Sequence, residues 1–82
     1  MHYVYVLRSL KDGSLYKGMS KHPQERLKQH NAGKVRATKG RRPFALVYQK
    51  AFKGLEQARA HEVFLKTRHG AGWLAKELRG RV

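Results

Sequence analysis

The sequence predicts a small α+β fold in which helices pack on a three-stranded antiparallel sheet, in the order β-β-α-β-α-α. Two stretches rich in Tyr, Val and Leu flank an Asp-Gly pair near the N-terminus, and a third begins near residue 44. Two further segments carry apolar side chains at helical spacing. The helices are expected to cover the sheet, because three strands need such cover to be stable.

The first two strands are predicted to form a hairpin. The segment from His2 to Ser9 is apolar on both faces, as expected for a strand in the middle of a sheet. The Asp12-Gly13 pair follows, and Gly13 supplies the positive φ that such a turn needs. The second strand then runs from Leu15 to Met19, antiparallel to the first.

The register of this hairpin determines whether its tyrosines meet. Symmetric pairing about the Asp-Gly turn would set Tyr16 opposite Ser9, on the same face as Tyr5. Tyr5 would then oppose position 20, roughly 13 Å from Tyr16 along the strand. With that register, the two tyrosines converge only through twist or a bulge.

Residues 23 to 31 are predicted to form a short helix. Pro23 suits its first turn, Leu27 and His30 follow at helical spacing, and the segment from Asn31 to Gly33 closes it. Arg26 lies four residues before His30, so the two share one side of the helix.

A basic segment follows, in which residues 34 to 43 hold five cations and no anion. Gly40 and Pro43 are expected to interrupt any regular element there. The cations could be ordinary solvated charges, but their density indicates a loop that grips a nucleic-acid backbone. They are Lys34, Arg36, Lys39, Arg41 and Arg42. The segment has no aromatic residue, which argues against recognition by base stacking.

The remaining chain is predicted to form one strand and two helices. The strand begins at Phe44 and runs on to Phe52. A helix over residues 55 to 67 places Leu55, Ala58 and Leu65 on one side, and Glu62 falls on that same side. After Gly70 and Gly72, a last short helix from Trp73 to Leu78 is expected to cover the sheet, with Trp73 as its anchor.

Composition narrows the class of protein. The 82 residues carry 19 Lys and Arg against 5 Asp and Glu, a formal charge of +14 that favours nucleic acid as partner. The absence of cysteine excludes a disulfide scaffold, a thiolate zinc site and a cysteine nucleophile. No apolar run approaches the roughly 20 residues of a membrane span. We therefore expect one soluble cytoplasmic domain over residues 1–82, without membrane association.

Several familiar catalytic arrangements do not fit the sequence. A serine triad lacks a free aspartate, because Asp12 is explained by the hairpin turn. His61-Glu62 begins a zinc-protease motif, but Leu65 stands where its second histidine belongs. Phosphate-cradling glycine loops are absent, and the other glutamates lie on faces expected to be exposed, which leaves no carboxylate pair. They are Glu25, Glu56 and Glu77.

What remains is an ordered set of polar residues and motifs: Tyr3-Val4-Tyr5, Tyr16-Lys17-Gly18, Arg26, His30-Asn31 and Glu62. Tyr16 follows Tyr5 by eleven positions, and Arg26 follows Tyr16 by ten. This order and spacing resemble the GIY-YIG nuclease superfamily, in particular its small stand-alone bacterial members, over about residues 2 to 78. Tyr3 and Lys17 depart from the family pattern, where a glycine and an aliphatic residue are usual.

The resemblance implies a metal-dependent endonuclease that hydrolyses DNA with one Mg²⁺ or Mn²⁺ ion. Tyr5 would be the general base, helped by Tyr16 and His30, while Arg26 would contact the scissile phosphate and Glu62 would ligate the metal. Lys17, Lys66 and the basic loop would bind nucleic acid. We expect branched, flap or nicked DNA as substrate, because no sequence-reading module is evident. The alternative is a basic DNA- or RNA-binding module that retains the fold. A protein partner or a homodimer stays open.

The chemistry of phosphodiester hydrolysis requires the same residue types. Hydrolysis builds negative charge on phosphate oxygens, which a guanidinium and a metal ion stabilise. One glutamate suffices for Mg²⁺, because water and phosphate oxygens complete its coordination. A phenol is a poor base unless cations such as Arg26 lower its pKa.

Each candidate also has a structural alternative. Tyr5 and Tyr16 could be core tyrosines, and Glu62 could pair on the surface with Arg59 or Lys66. His30 lies near a helix C-terminus, where the dipole favours the charged form and opposes a role as base.

Overall fold

A computed structural model describes residues 1–80. Its elements are β1 (His2–Ser9), β2 (Leu15–Ser20), α1 (Pro23–Asn31), β3 (Phe44–Phe52), α2 (Leu55–Leu65) and α3 (Arg68–Arg79). The three strands form one antiparallel sheet in the order β2-β1-β3. The predicted fold class is confirmed, and β1 is the central strand, as its continuous apolar run indicated.

The two faces of the sheet pack against different helices. On one face, Val4 and Val6 of β1 join a buried cluster with Ala58 and Leu65 of α2 and Leu74 of α3. On the other face, Tyr5 and Leu7 pack with Phe44 of β3 and Leu27 of α1. The strand alternation therefore separates an α2–α3 layer from an α1 layer, and Tyr5 lies on the α1 side.

The hairpin register differs from the symmetric one by two residues. Tyr5 pairs with Gly18, and Tyr16 pairs with Leu7 rather than with Ser9. The reason lies in the connection, where the Ser9 hydroxyl accepts from the amides of Lys11 and Asp12, 3.1 Å from each, and widens the turn to five residues. Gly13 has the predicted positive φ, at 76°.

The predicted boundary between the last two helices is wrong. Helix α2 ends at Leu65, and α3 begins at Arg68 and continues through both glycines. Thr67 caps α3, because its hydroxyl accepts from the amide of Gly70 at 3.0 Å. Gly70 therefore lies inside the first turn of α3, although it was predicted to precede the last helix.

Two apolar residues occupy other positions than expected. Leu55 is 44% exposed, so it does not face inward with Ala58 and Leu65. Trp73 is 37% exposed and meets Tyr48 edge-on, with ring centroids 6.1 Å apart. Its neighbour Leu74 is fully buried in the core.

The basic segment contains one short regular element, a 3-10 turn at Lys39–Arg41, where none was expected. The turn is attached to the β1–β2 connection, since the Ser9 hydroxyl donates to the carbonyl of Arg41 at 2.5 Å. The Lys11 ammonium also donates to the carbonyl of Gly40, at 3.2 Å. Within residues 1–80, no helix has the length and apolar character needed to cross a membrane.

Candidate active site

The ring of Tyr5 lies across β2 directly over Gly18. A Cβ atom at position 18 would stand 2.6 Å from both Cζ and the hydroxyl oxygen of Tyr5, too close for any side chain. Gly18 ends the Tyr16-Lys17-Gly18 motif, and the absence of a side chain there leaves room for the Tyr5 phenol. Tyr5 itself is 1% exposed.

Three rings meet at this point of the structure. The ring centroids of Tyr16 and His30 are 4.9 Å apart, and those of Tyr5 and Tyr16 are 6.4 Å apart. The Tyr5 hydroxyl lies 3.1 Å from Nε2 of His30, within hydrogen-bond distance. The hairpin register brings the tyrosines together because Tyr16 pairs with Leu7, two residues from Tyr5 on the same face.

The end of α1 is held in place by the residue after His30. The side-chain amide of Asn31 donates to the carbonyl of Phe44 at 3.1 Å, and the Phe44 amide donates to the Asn31 side chain at 2.7 Å. This pair of bonds fastens the last turn of α1 to β3. His30 is thereby positioned by both its helix and the sheet.

Thr38, which was not among the predicted site residues, completes the surroundings of His30. Its hydroxyl lies 2.7 Å from Nδ1 of His30, and both residues are fully buried. The only sequence signal was that Thr38 is the single hydroxyl residue among the cations of the basic segment. That signal does not reveal a buried partner.

Arg26 and Glu62 act on the same phenol from different helices. The Arg26 guanidinium on α1 lowers the pKa of Tyr5 through hydrogen bonding and charge, and the Glu62 carboxylate on α2 raises it. The Arg26 side chain also donates to Gln29 at 2.6 Å. Glu62 is 19% exposed and forms an ion pair with Lys66 at 3.6 Å. Both groups are therefore within electrostatic reach of Tyr5.

Burial determines the protonation of the Tyr5–His30 pair. Desolvation raises the pKa of Tyr5 and outweighs the opposing effect of Arg26, so this guanidinium by itself does not bring that pKa below its ordinary value. Desolvation likewise lowers the pKa of His30, with a smaller contribution from Arg26. At neutral pH the pair is therefore a phenol beside a neutral imidazole. The charged form of His30, which the dipole of α1 favours, is not the form present.

The candidate nucleic-acid cations fall into three groups. Lys34, Arg36 and Lys39 are exposed. Lys17 is half-buried and pairs with Val6, on the face opposite Tyr16. The others contact the protein itself: Arg41 donates to Ser14 at 3.0 Å, Arg42 lies against Gly33, and Lys66 pairs with Glu62.

The residues fit a hard divalent cation held by a single carboxylate. No group of three or more His, Asp or Glu side chains suited to a metal occurs in the described part of the chain. Glu62 offers one partly buried carboxylate, and Mg²⁺ accepts such a ligand when water and substrate phosphate supply the rest. The donor set excludes a closed structural site of the zinc type among residues 1–80.

Comparison with known proteins identifies the family of this chain. The model of the GIY-YIG catalytic domain matches residues 1–76. The chain is 45% identical over 67 residues to the UPF0213 protein SH2523 of Staphylococcus haemolyticus, an alignment that covers 80% of each chain. It is 40% identical over 67 residues to a UPF0213 protein of Clostridium perfringens, covering 80% of this chain and 71% of the relative.

A solved structure agrees with these relationships. The solution NMR structure of the UPF0213 protein BH0048 from Bacillus halodurans matches with a TM-score of 0.56 and 40% identity. The match covers 92% of this chain and 82% of that one. The resemblance is therefore confirmed, and the chain belongs to the GIY-YIG nuclease superfamily.

Proposed function

We propose that this protein is an endonuclease that hydrolyses DNA phosphodiester bonds with one divalent cation, Mg²⁺ or Mn²⁺. One observation carries the proposal. The buried Tyr5 hydroxyl lies 3.1 Å from Nε2 of the neutral His30. The charges of Arg26 on α1 and Glu62 on α2 also shift the pKa of this hydroxyl. A core tyrosine needs one hydrogen-bond partner for its hydroxyl, but it needs neither a guanidinium nor a carboxylate nearby. Hydrolysis of a phosphodiester needs a proton acceptor, a phosphate ligand and a metal ligand.

The proton acceptor is the Tyr5–His30 pair, with Tyr16 packed against both rings. Because its pKa is raised, Tyr5 is protonated at neutral pH and cannot act as a phenolate base alone. Neutral His30 can accept the phenolic proton at Nε2 while the Tyr5 oxygen takes a proton from the attacking water. Tyr5 thus contacts the water, and His30 is the effective base.

Arg26 and Glu62 supply the charge that the transition state requires. The planar guanidinium of Arg26 matches the oxygens of a phosphate and would exchange its bond to Gln29 for them. Glu62 would hold the cation, releasing its ion pair with Lys66. The bound cation would neutralise the developing charge on the phosphate oxygens.

DNA binding is assigned first to the exposed cations Lys34, Arg36 and Lys39, which are free of the contacts that engage Arg41 and Arg42. Lys17 and Lys66 lie on the side of the sheet that α2 covers, and Lys66 is paired there with Glu62. Contacts of this kind read the phosphate backbone rather than base sequence. We therefore propose a structure-selective substrate, a branch, flap or nick.

The test is cleavage of labelled duplex, nicked, flap, forked and RNA substrates with Mg²⁺ or a chelator. We expect Glu62→Gln and Arg26→Ala to lower the cleavage rate at least about a hundredfold at unchanged affinity. Glu56→Gln on α2 and Lys28→Ala on α1 are matched controls, because both residues are exposed. Cleavage by a pure Glu62→Gln preparation at the rate of the unsubstituted protein would refute the metal assignment.

A second function, binding without cleavage, is favoured by the charge of +14. On this proposal the substrate panel shows binding in chelator and in Mg²⁺ alike, with no product in either. Affinity then depends on the exposed cations of the basic segment and is insensitive to Glu62→Gln.

A further inference from the structure

We propose that Thr38 is a positioning residue that holds the proton of neutral His30 on Nδ1, so that Nε2 can accept from Tyr5. The catalytic consequence rests on the proposed nuclease function. The tautomer itself does not, since it is a property of the folded protein. Thr38 lies in the basic segment, outside the set of residues that the sequence analysis singled out.

The Thr38 hydroxyl has a single hydrogen to donate. That oxygen lies 2.7 Å from Nδ1 of His30 and 3.4 Å from the carbonyl oxygen of Val35. A carbonyl oxygen can only accept, so the contact with Val35 uses the hydroxyl hydrogen. The hydroxyl then presents a lone pair to His30, and the hydrogen of that short bond belongs to Nδ1.

The state of Nε2 follows from the state of Nδ1. A neutral imidazole carries one hydrogen, and the nitrogen without it is an acceptor. Nε2 therefore offers a lone pair at 3.1 Å from the Tyr5 hydroxyl, which donates to it. In the other tautomer Nε2 would donate to Tyr5, and the nitrogen that faces Tyr5 would have no lone pair for the phenolic proton.

The backbone around Thr38 keeps its hydroxyl in place. The Thr38 amide donates to Val35 at 3.1 Å, and the Thr38 carbonyl accepts from Arg41 at 3.0 Å. Thr38 is buried while Arg36 and Lys39 on either side of it are exposed. One short segment thus presents cations outward to DNA and orients the candidate base inward.

The first measurement is the His30 tautomer in the intact protein, read from long-range ¹H–¹⁵N NMR correlations of the imidazole. We expect the Nδ1–H form in the unsubstituted protein. Thr38→Val, which keeps the shape but lacks the hydroxyl, should populate the Nε2–H form. Thr38→Ser, which restores the hydroxyl, should return the ring to Nδ1–H.

Cleavage and binding provide the second readout. We expect Thr38→Val to lower the cleavage rate at least about tenfold, a fraction of what a positioned base contributes, with DNA affinity within about twofold. Thr38→Ser should recover the rate. Arg36→Ala should do the reverse, lowering affinity while the tautomer stays Nδ1–H.

An Nε2–H tautomer in the unsubstituted protein would overturn the proposal, whether or not Thr38→Val folds. So would a folded Thr38→Val protein that keeps the Nδ1–H form. If the tautomer behaves as expected but the unsubstituted protein cleaves no substrate, the nuclease function fails and the role of Thr38 in positioning the proton stands.

Discussion

Gly18 illustrates how one atom decides the geometry of the site. Its hydrogen leaves room for the Tyr5 ring, which a Cβ would approach to 2.6 Å. The sequence motif identified this glycine only by its place beside Tyr16. The structure supplies the reason, because Gly18 is the cross-strand partner of Tyr5.

We predict that Gly18→Ala destabilises the protein by about 1–3 kcal/mol, because the buried Tyr5 ring must move. Cleavage should fall further than DNA affinity, since the exposed cations are unaffected. Urea denaturation and the cleavage assay measure the two effects. Gly40→Ala is the control, because a Cβ there meets nothing within 4 Å. Equal stability of the two variants would contradict the steric account.

At the level of elements, α3 shows two glycines with opposite roles. A Cβ at Gly70 would lie 1.7 Å from the carbonyl oxygen of Phe64 in α2, and one at Gly72 would meet nothing within 4 Å. The absence of a side chain at Gly70 lets the start of α3 approach the end of α2. Gly72 performs no such role and only weakens the helix.

We predict that Gly70→Ala lowers the free energy of unfolding by at least about 3 kcal/mol, because the clash is with backbone and cannot relax by a rotamer change. Gly72→Ala in the same helix should raise it by about 0.5–1 kcal/mol. Paired denaturation curves test both. A Gly70→Ala protein as stable as Gly72→Ala would show that the helices do not pack this closely.

At the scale of the whole molecule, the buried His30 and the half-buried His61 make stability depend on pH. Burial lowers the pKa of both His30 and His61, and the charges of Arg26 and Lys50, respectively, lower these values further. The unfolded chain then binds more protons than the folded one below about pH 6.5. Stability from these groups is present above that pH and is lost as the pH falls through the lowered values.

We predict that the free energy of unfolding decreases between pH 7.5 and pH 5.5. His61→Gln should flatten this dependence, although the variant is itself less stable because Tyr48 loses a partner at 2.8 Å. Urea denaturation at several pH values gives the slope. A slope that is unchanged in both His61→Gln and His30→Gln would contradict the assignment.

The charge of +14 also belongs to the whole molecule. Each phosphate neutralised by a cation releases counterions, so log K should fall linearly with log salt concentration. We predict that Arg36→Ala and Lys39→Ala each reduce the slope by about one, because both side chains are exposed. Fluorescence anisotropy titrations over a range of salt concentrations test this. As a control, Glu56→Gln removes an exposed negative charge, so the affinity for DNA should stay the same or rise.

Much of this protein was readable from its sequence, because the relevant signals are local. The apolar run of β1, the Asp12-Gly13 turn and the helix start at Pro23 depend on neighbouring residues, and all are found. The order and spacing of the polar motifs also identified the family, which the comparisons confirm.

Tertiary structure decided what depends on distant partners. The pairing of Tyr5 with Gly18 follows from how Ser9 organises the turn, and the role of Gly70 follows from the approach of another helix. Thr38 looked like one more loop residue until the fold placed it on His30. The pKa of Tyr5 rises because burial outweighs a nearby guanidinium. Burial is a sum over contacts from the whole chain, so no local pattern of residues contains it.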